Sequence, residues 1–159
     1  MKVKILMVCL GNICRSPIAE GIMQNKLNQA GIDAQVDSAG LINYHTGELP
    51  DKRSIVVAVK YGIDISVQRA RSFTKDDIKN FDYIFAMDNN NYENLLEYAN
   101  DATEAKRIHL LLDYAGLGKK IVPDPYYGDQ SDFEHVFSLL DDACQRILKK
   151  FAYAQSAVV

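Results

Sequence analysis

Apolar positions along this chain follow two alternating rhythms. Val3, Ile5, Leu6, Met7 and Val8 form a short, nearly continuous apolar run that stops at a glycine-containing loop, as expected of a strand buried on both faces. Behind the loop, Ala19, Ile22, Met23, Leu27 and Ala30 recur at helical spacing until Gly31, and Ser16-Pro17 offers an N-cap followed by proline at the first helical position. Ala34 to Ser38 reads as a second strand. Pro50 to Tyr61, closed by Gly62, reads as a helix in spite of its β-branched Ile55-Val56-Val57.

The rhythm then repeats. Phe81 to Met87 is a third strand, and Asp88, Asn89 and Asn90 supply cap residues for a helix carrying Tyr92, Leu95, Leu96 and Ala99. Arg107 to Leu111 is a fourth strand. Ser131-Asp-Phe-Glu134 has the form of a capping box opening a last helix through Phe133, Val136, Phe137, Leu140, Ala143, Ile147 and Phe151, with the final few residues frayed. Strands alternating with helices imply parallel pairing through right-handed crossovers. The expected fold is therefore α/β: a three-layer sandwich with a central four-stranded parallel sheet, doubly wound and flavodoxin-like, in one domain over residues 1–159.

Composition narrows the class. A chain of 159 residues, 48% hydrophobic and 25% charged, suits one buried core. Its net charge of −3 and pI near 5.6 give no basis for nucleic-acid binding, which rests on clustered Lys and Arg. No apolar stretch approaches a membrane span and no export signal opens the chain, so a cytoplasmic protein with no membrane partner is expected. Cys9, Cys14 and Cys144 are an odd set and read as reduced thiols rather than a disulfide framework. A monomer is the favoured state.

The segment Cys9-Leu10-Gly11-Asn12-Ile13-Cys14-Arg15-Ser16-Pro17 carries the chemistry. It lies beyond the carboxyl end of the first strand, where open parallel sheets bind ligands, and it runs into a helix N-terminus with unpaired N–H groups and a positive dipole end. Such a loop is prepared to hold a dianion, and Gly11 allows the backbone to turn in closely. The same field favours the thiolate of Cys9 over a free thiol of pKa about 8.5. Arg15 presents a planar fork that grips two phosphoryl oxygens. Five residues separate Cys9 from Arg15, enough to encircle one phosphate.

Those residues resemble the signature of the low-molecular-weight protein tyrosine phosphatases, and Asp124-Pro125-Tyr126-Tyr127-Gly128 resembles that family's second motif. Asp37-Ser38-Ala39, Phe81-Asp82-Tyr83-Ile84 and Met87-Asp88 look like further blocks in the same order. The resemblance implies in-line attack by Cys9 to give a phosphocysteine. Arg15 and the loop from Leu10 through Gly11, Asn12, Ile13 and Cys14 hold the phosphate, and Asp124 serves as general acid and then general base. By itself Asp124 reads as a turn residue. The resemblance also implies aromatic pocket walls from Tyr44, Tyr126 and Tyr127, an arginine-fixing Asp88, and hydrogen-bonding support from Asn12, Ser16 and Ser38. Substrates would be phosphotyrosyl proteins or small aryl phosphates, with inorganic phosphate as product.

The chain departs from the family pattern at Gln68, where many members carry a histidine in the supporting network. Gln68 can donate a hydrogen bond but cannot titrate. His45, His109 and His135 lack metal-type spacing, so neither metal nor organic cofactor is expected. Cys14 could trap an oxidised Cys9 as a disulfide, while Cys144 falls on the apolar stripe of the last helix. Tyr126 or Tyr127 could itself be a kinase target. Three rival functions use the same scaffold: an arsenate reductase, which needs relay cysteines; a phosphoarginine phosphatase, whose loop carries threonine where Ile13 stands; and a non-catalytic phosphotyrosine binder.

Overall fold

In the computed structural model, which describes residues 2–158 and the last four of these by backbone alone, four parallel strands form one sheet. β1 (Val3–Cys9), β2 (Ala34–Gly40), β3 (Tyr83–Ala86) and β4 (Ile108–Leu110) stand in the order β2-β1-β3-β4. Successive strands are therefore added first on one side of β1 and then on the other, and the loop leaving β1 opens at the crevice this switch creates.

β1 is buried on both sides. Ile5, Met7 and Cys9 face a core shared with α1 (Arg15–Gln29), α2 (Lys52–Lys60) and α7 (Gln130–Val158), while Leu6 and Val8 face a second core with Ile78 of α3 (Asp77–Asn80) and Leu95 of α4 (Asn89–Tyr98). This period-two division of a continuous apolar run explains why β1 carries no polar face. The expected three-layer, four-stranded parallel architecture is observed.

Several boundaries differ from expectation. The second helix is shorter than Pro50–Tyr61, running from Lys52 to Lys60, because the Asp51 carboxylate accepts from Arg53 N at 2.9 Å and caps it there. Its β-branched residues stay helical because Val57 and Ala58 are fully buried in the core shared with α7. The third and fourth strands are trimmed to Tyr83–Ala86 and Ile108–Leu110. α3, α5 (Ala102–Ala105) and α6 (Leu111–Tyr114) are single turns too short to show a periodic pattern.

The expected capping box Ser131/Glu134 is not formed. Asp129 caps α7 instead, accepting from Ser131 N at 2.9 Å, while Asp132 reaches back to Asp129 N at 2.9 Å. Glu134 turns outward to Lys60 at 2.5 Å and to the Tyr61 hydroxyl at 2.9 Å. The fraying expected at the C-terminus falls on 155–159: α7 is drawn to Val158, and Val159 lies outside the described residues.

Candidate active site

The residues from Cys9 to Arg15 connect β1 directly to α1. α1 begins at Arg15, not after a Ser16 cap: Cys14 occupies the N-cap position without a side-chain bond. Ser16 lies inside the first turn because its hydroxyl is engaged elsewhere, 3.0 Å from Cys9 Sγ. Nor is Gly11 the turning residue. Asn12 takes the left-handed conformation (φ 58°), which asparagine tolerates better than most side chains, while bareness at Gly11 leaves room for His45, whose Cδ2 would lie 3.1 Å from an added Cβ.

Asn12 is held there by its amide. Nδ2 donates to Ser16 Oγ at 2.8 Å and to Ser38 Oγ at 2.9 Å, and Oδ1 accepts from Arg71 N at 3.0 Å. With both amide protons committed, Ser38 donates its hydroxyl hydrogen bond to Glu20 Oε1 at 2.7 Å, and the Ser16 hydroxyl hydrogen remains available to Cys9 Sγ. The hydrogen bonds thus run outward from the Asn12 amide, through Ser16 toward the thiol and through Ser38 to a largely buried carboxylate. Desolvation by burial pushes the Glu20 carboxyl up to about 7, with nearby Asp37 adding to the effect and Ser38 and Arg71 opposing it. Glu20 was not picked out by sequence reasoning, although it stands four residues after Ser16 on the same face of α1.

Gln68 takes no part in this chain. Its Nε2 donates to Pro17 O at 3.0 Å, and its Oε1 is buried with no partner among the described residues.

Arg15 is almost wholly buried, at 3% exposure. Its Nη1 donates to Asp88 Oδ2 at 2.7 Å and to Val122 O at 3.0 Å, which leaves Nε and Nη2 without protein hydrogen bonds among the described residues. Nη2 stands 3.9 Å from Asp124 Oδ2. Burial works against the guanidinium charge, but Cys9, Asp88 and Asp124 outweigh it and hold the Arg15 pKa above its ordinary value. Asp88 does two jobs, since its Oδ1 also caps α4 through Asn91 N at 2.8 Å.

Asp124 is half exposed, at 45%, and its Oδ1 accepts from Tyr126 N at 3.1 Å in an Asx turn. The Asp124–Gly128 loop is clamped from outside by Arg53, which donates to Tyr126 O and Gly128 O, both at 2.9 Å, while its fork is gripped by Asp51. Arg53 and Asp51 escaped sequence reasoning, because the loop carbonyls that give Arg53 its role lie more than 70 residues away.

These parts surround one cleft of about 340 Å³. It brings together Cys9, Leu10, Gly11, Ile13, Cys14, Arg15, Asp124, Tyr44, Tyr126 and Tyr127, with Ile42 and His45 added. Tyr44 and Tyr127 are largely exposed at the rim, and Tyr44 meets His45 edge-on at 4.8 Å. Asn12, Ser16, Ser38 and Asp88 lie behind the cleft rather than in its lining. Burial first, then Asp51 and other acidic neighbours, drive the Cys14 thiol far above its ordinary value, so it stays protonated. Cys144, on α7, is fully buried in the core shared with α1, in keeping with a core role.

A buried guanidinium, a thiol and a carboxylate around one small cleft at the switch point of a parallel sheet form, on an α/β scaffold, an arrangement able to hold a phosphate ester. The sequence pattern of the low molecular weight phosphotyrosine protein phosphatases matches residues 4–156. The chain belongs to this family. It is 42% identical over 154 residues to the low molecular weight phosphotyrosine protein phosphatase of Schizosaccharomyces pombe, covering 94% of this chain and 97% of that one. A crystal structure of a protein tyrosine phosphatase from Entamoeba histolytica superposes with a TM-score of 0.89 at 38% identity, covering 96% of this chain and 99% of that chain. Vibrio vulnificus Wzb in complex with benzylphosphonate superposes with a TM-score of 0.83 at 31% identity, covering 93% and 98% respectively.

No helix among the described residues is long and apolar enough to cross a membrane.

Proposed function

We propose that the chain hydrolyses phosphotyrosine and small aryl phosphates through a phosphocysteine on Cys9. The observation that carries this reading is the buried Arg15, whose Nη1 is tied to Asp88 and Val122 O while Nε and Nη2 are left for two phosphoryl oxygens. The phosphate lies against the N-terminus of α1, whose first N–H groups have no helical partners. A cleft walled by Tyr126, Tyr127, Tyr44, Ile13 and Ile42 suits a flat aromatic leaving group. Benzylphosphonate, bound by the Vibrio relative, is a ligand of that shape.

In the first half-reaction the Cys9 thiolate attacks phosphorus, the P–O bond to the phenol breaks, and Asp124 gives its proton to the departing oxygen. In the second, water attacks the phosphocysteine, Asp124 takes the water's proton, and the S–P bond breaks. Ser16, the donor facing Cys9 Sγ, stabilises the thiolate that leaves. The cradle holds its donors in place throughout, so little reorganisation accompanies charge movement to the equatorial oxygens.

Ile13 in the cleft favours this substrate over phosphoarginine, and fully buried Cys144 offers no relay thiol for arsenate reduction. The test compares phosphotyrosyl, phosphoseryl and phosphoarginyl peptides with wild type and Cys9→Ser. Hydrolysis of phosphotyrosine alone is expected, abolished in Cys9→Ser with phosphate affinity kept. Asp124→Asn should lose about 10²- to 10⁴-fold on phenyl phosphate and less on p-nitrophenyl phosphate, whose leaving group needs little protonation. Preference for phosphoarginine, or equal losses on both esters, would refute the assignment.

A further inference from the structure

A second cleft of about 400 Å³ adjoins the first and shares Leu10 and Ile42 with it. Its other lining residues are Leu41, Asn94, Glu97 and Tyr98. The shared wall is tied to the phosphate loop: Leu41 N donates to Cys9 O at 3.1 Å and to Leu10 O at 2.9 Å, and Ile42 N donates to Leu10 O at 3.1 Å. Phe73 meets the Tyr98 ring edge-on at 5.1 Å and props it in place. The groove is therefore preformed and fixed in register with the catalytic cleft.

Its chemistry is amphipathic. Leu10, Leu41, Ile42 and the Tyr98 ring offer an apolar floor, and Leu10, Ile42 and Tyr98 are each around two-fifths exposed. At one side stands Glu97, exposed and without an ion pair or hydrogen-bonded side-chain partner among the described residues. A long side chain with an aliphatic stem and a cationic head satisfies both halves, the stem lying on the leucines and Tyr98 and the head reaching Glu97. Successive residues of a peptide lie about 3.8 Å apart, and the two clefts share the Leu10–Ile42 wall, which brings the groove within reach of a side chain one or two positions from a phosphotyrosine seated over Cys9.

We infer that this groove is a specificity subsite for an arginine or lysine within two residues of the phosphotyrosine. The inference rests on the phosphatase reading above and names the peptide class that reading leaves open. A glutamate at the same substrate position brings like charge against Glu97.

The test measures kcat/KM for phosphotyrosyl peptides in which Arg, Leu or Glu is placed in turn at each of the four positions flanking phosphotyrosine. Each rate is referred to that of p-nitrophenyl phosphate, which is too small to span both clefts. At one position Arg is expected to exceed Glu by about three- to tenfold, the size of one exposed charge pair plus a cation–aromatic contact. Glu97→Arg should reverse that order. Equal rates at all four positions, a preference for Glu, or a preference that survives Glu97→Arg would overturn the subsite. If neither peptides nor p-nitrophenyl phosphate are turned over, the phosphatase reading fails instead. The subsite is then decided by anisotropy of the same peptides on Cys9→Ser, where equal affinity for Arg and Glu peptides refutes it.

Discussion

Replacing Glu20 by glutamine removes a buried ionisation while keeping an oxygen for Ser38 to bond. Burial raises the Glu20 carboxyl from its ordinary 4.5 to about 7, and each pKa unit is worth about 1.4 kcal/mol between protonation states. The folded chain holds this proton more tightly than the unfolded chain does. Stability from this group is therefore greatest below about pH 4.5, falls as pH rises through the window up to about 7, and is flat above it. Near neutral pH and above, the ionised carboxylate costs the fold about 3 kcal/mol relative to acid conditions. Over pH 5 to 8 the change is about 2 to 3 kcal/mol. Glu20→Gln abolishes this dependence, so the difference between variant and wild type should grow by that amount across the window, favouring the variant at high pH. The chain has no tryptophan, so urea unfolding is best followed by circular dichroism of its helices at several pH values. Other titrating groups are common to both proteins and cancel. Parallel stability curves for the two proteins would refute the buried-carboxylate account. A variant less stable at pH 8 than at pH 5, relative to wild type, would show that the Ser38 bond outweighs desolvation.

Two other perturbations address the cradle. Asp88→Asn keeps an acceptor for the α4 cap but leaves the Arg15 charge buried without its close partner, a loss of about 3 kcal/mol; urea titrations with and without inorganic phosphate should show this loss and a smaller stabilisation by phosphate, and an unchanged phosphate effect would refute the role of Asp88 in fixing Arg15. Gly40→Ala places a Cβ 2.9 Å from Leu10 O and 3.0 Å from Gly11 C, so turnover should fall sharply with helix content retained, whereas Gly31→Ala, which meets nothing within 4 Å but sits at φ 70°, should cost about 1 kcal/mol of stability and no activity.

Much of this protein was legible in its sequence because the information is local. A continuous apolar run beside a glycine-containing loop and a helical stripe specifies strand, loop and helix from neighbouring residues, and three repeats of that unit leave few topologies besides a parallel sheet. The candidate loop was legible for the same reason: Cys9 through Pro17 is one segment whose thiol, guanidinium and helix start are close neighbours along the chain. Asp88 pairs with Arg15 and Asp124 lines the cleft, two placements to which resemblance rather than residue chemistry pointed.

Tertiary structure decided which of several possible partners each polar side chain takes. Ser16 had the makings of a helix cap, yet Cys9 and Asn12 claim its hydroxyl; Ser131 and Glu134 had the spacing of a capping box, yet Asp129 and Asp132 form it. Helix propensity and cap preferences differ by only about 1 kcal/mol, so a well-placed partner from elsewhere in the chain overrides them. The Glu20 chain, the Arg53 clamp on the Asp124 loop and the groove beside Leu10 depend on groups brought together by sheet order and helix packing. Sequence alone determined that a thiol and a guanidinium would meet at a helix N-terminus; only the fold decided what stands behind them, because hydrogen bonds form by proximity in space.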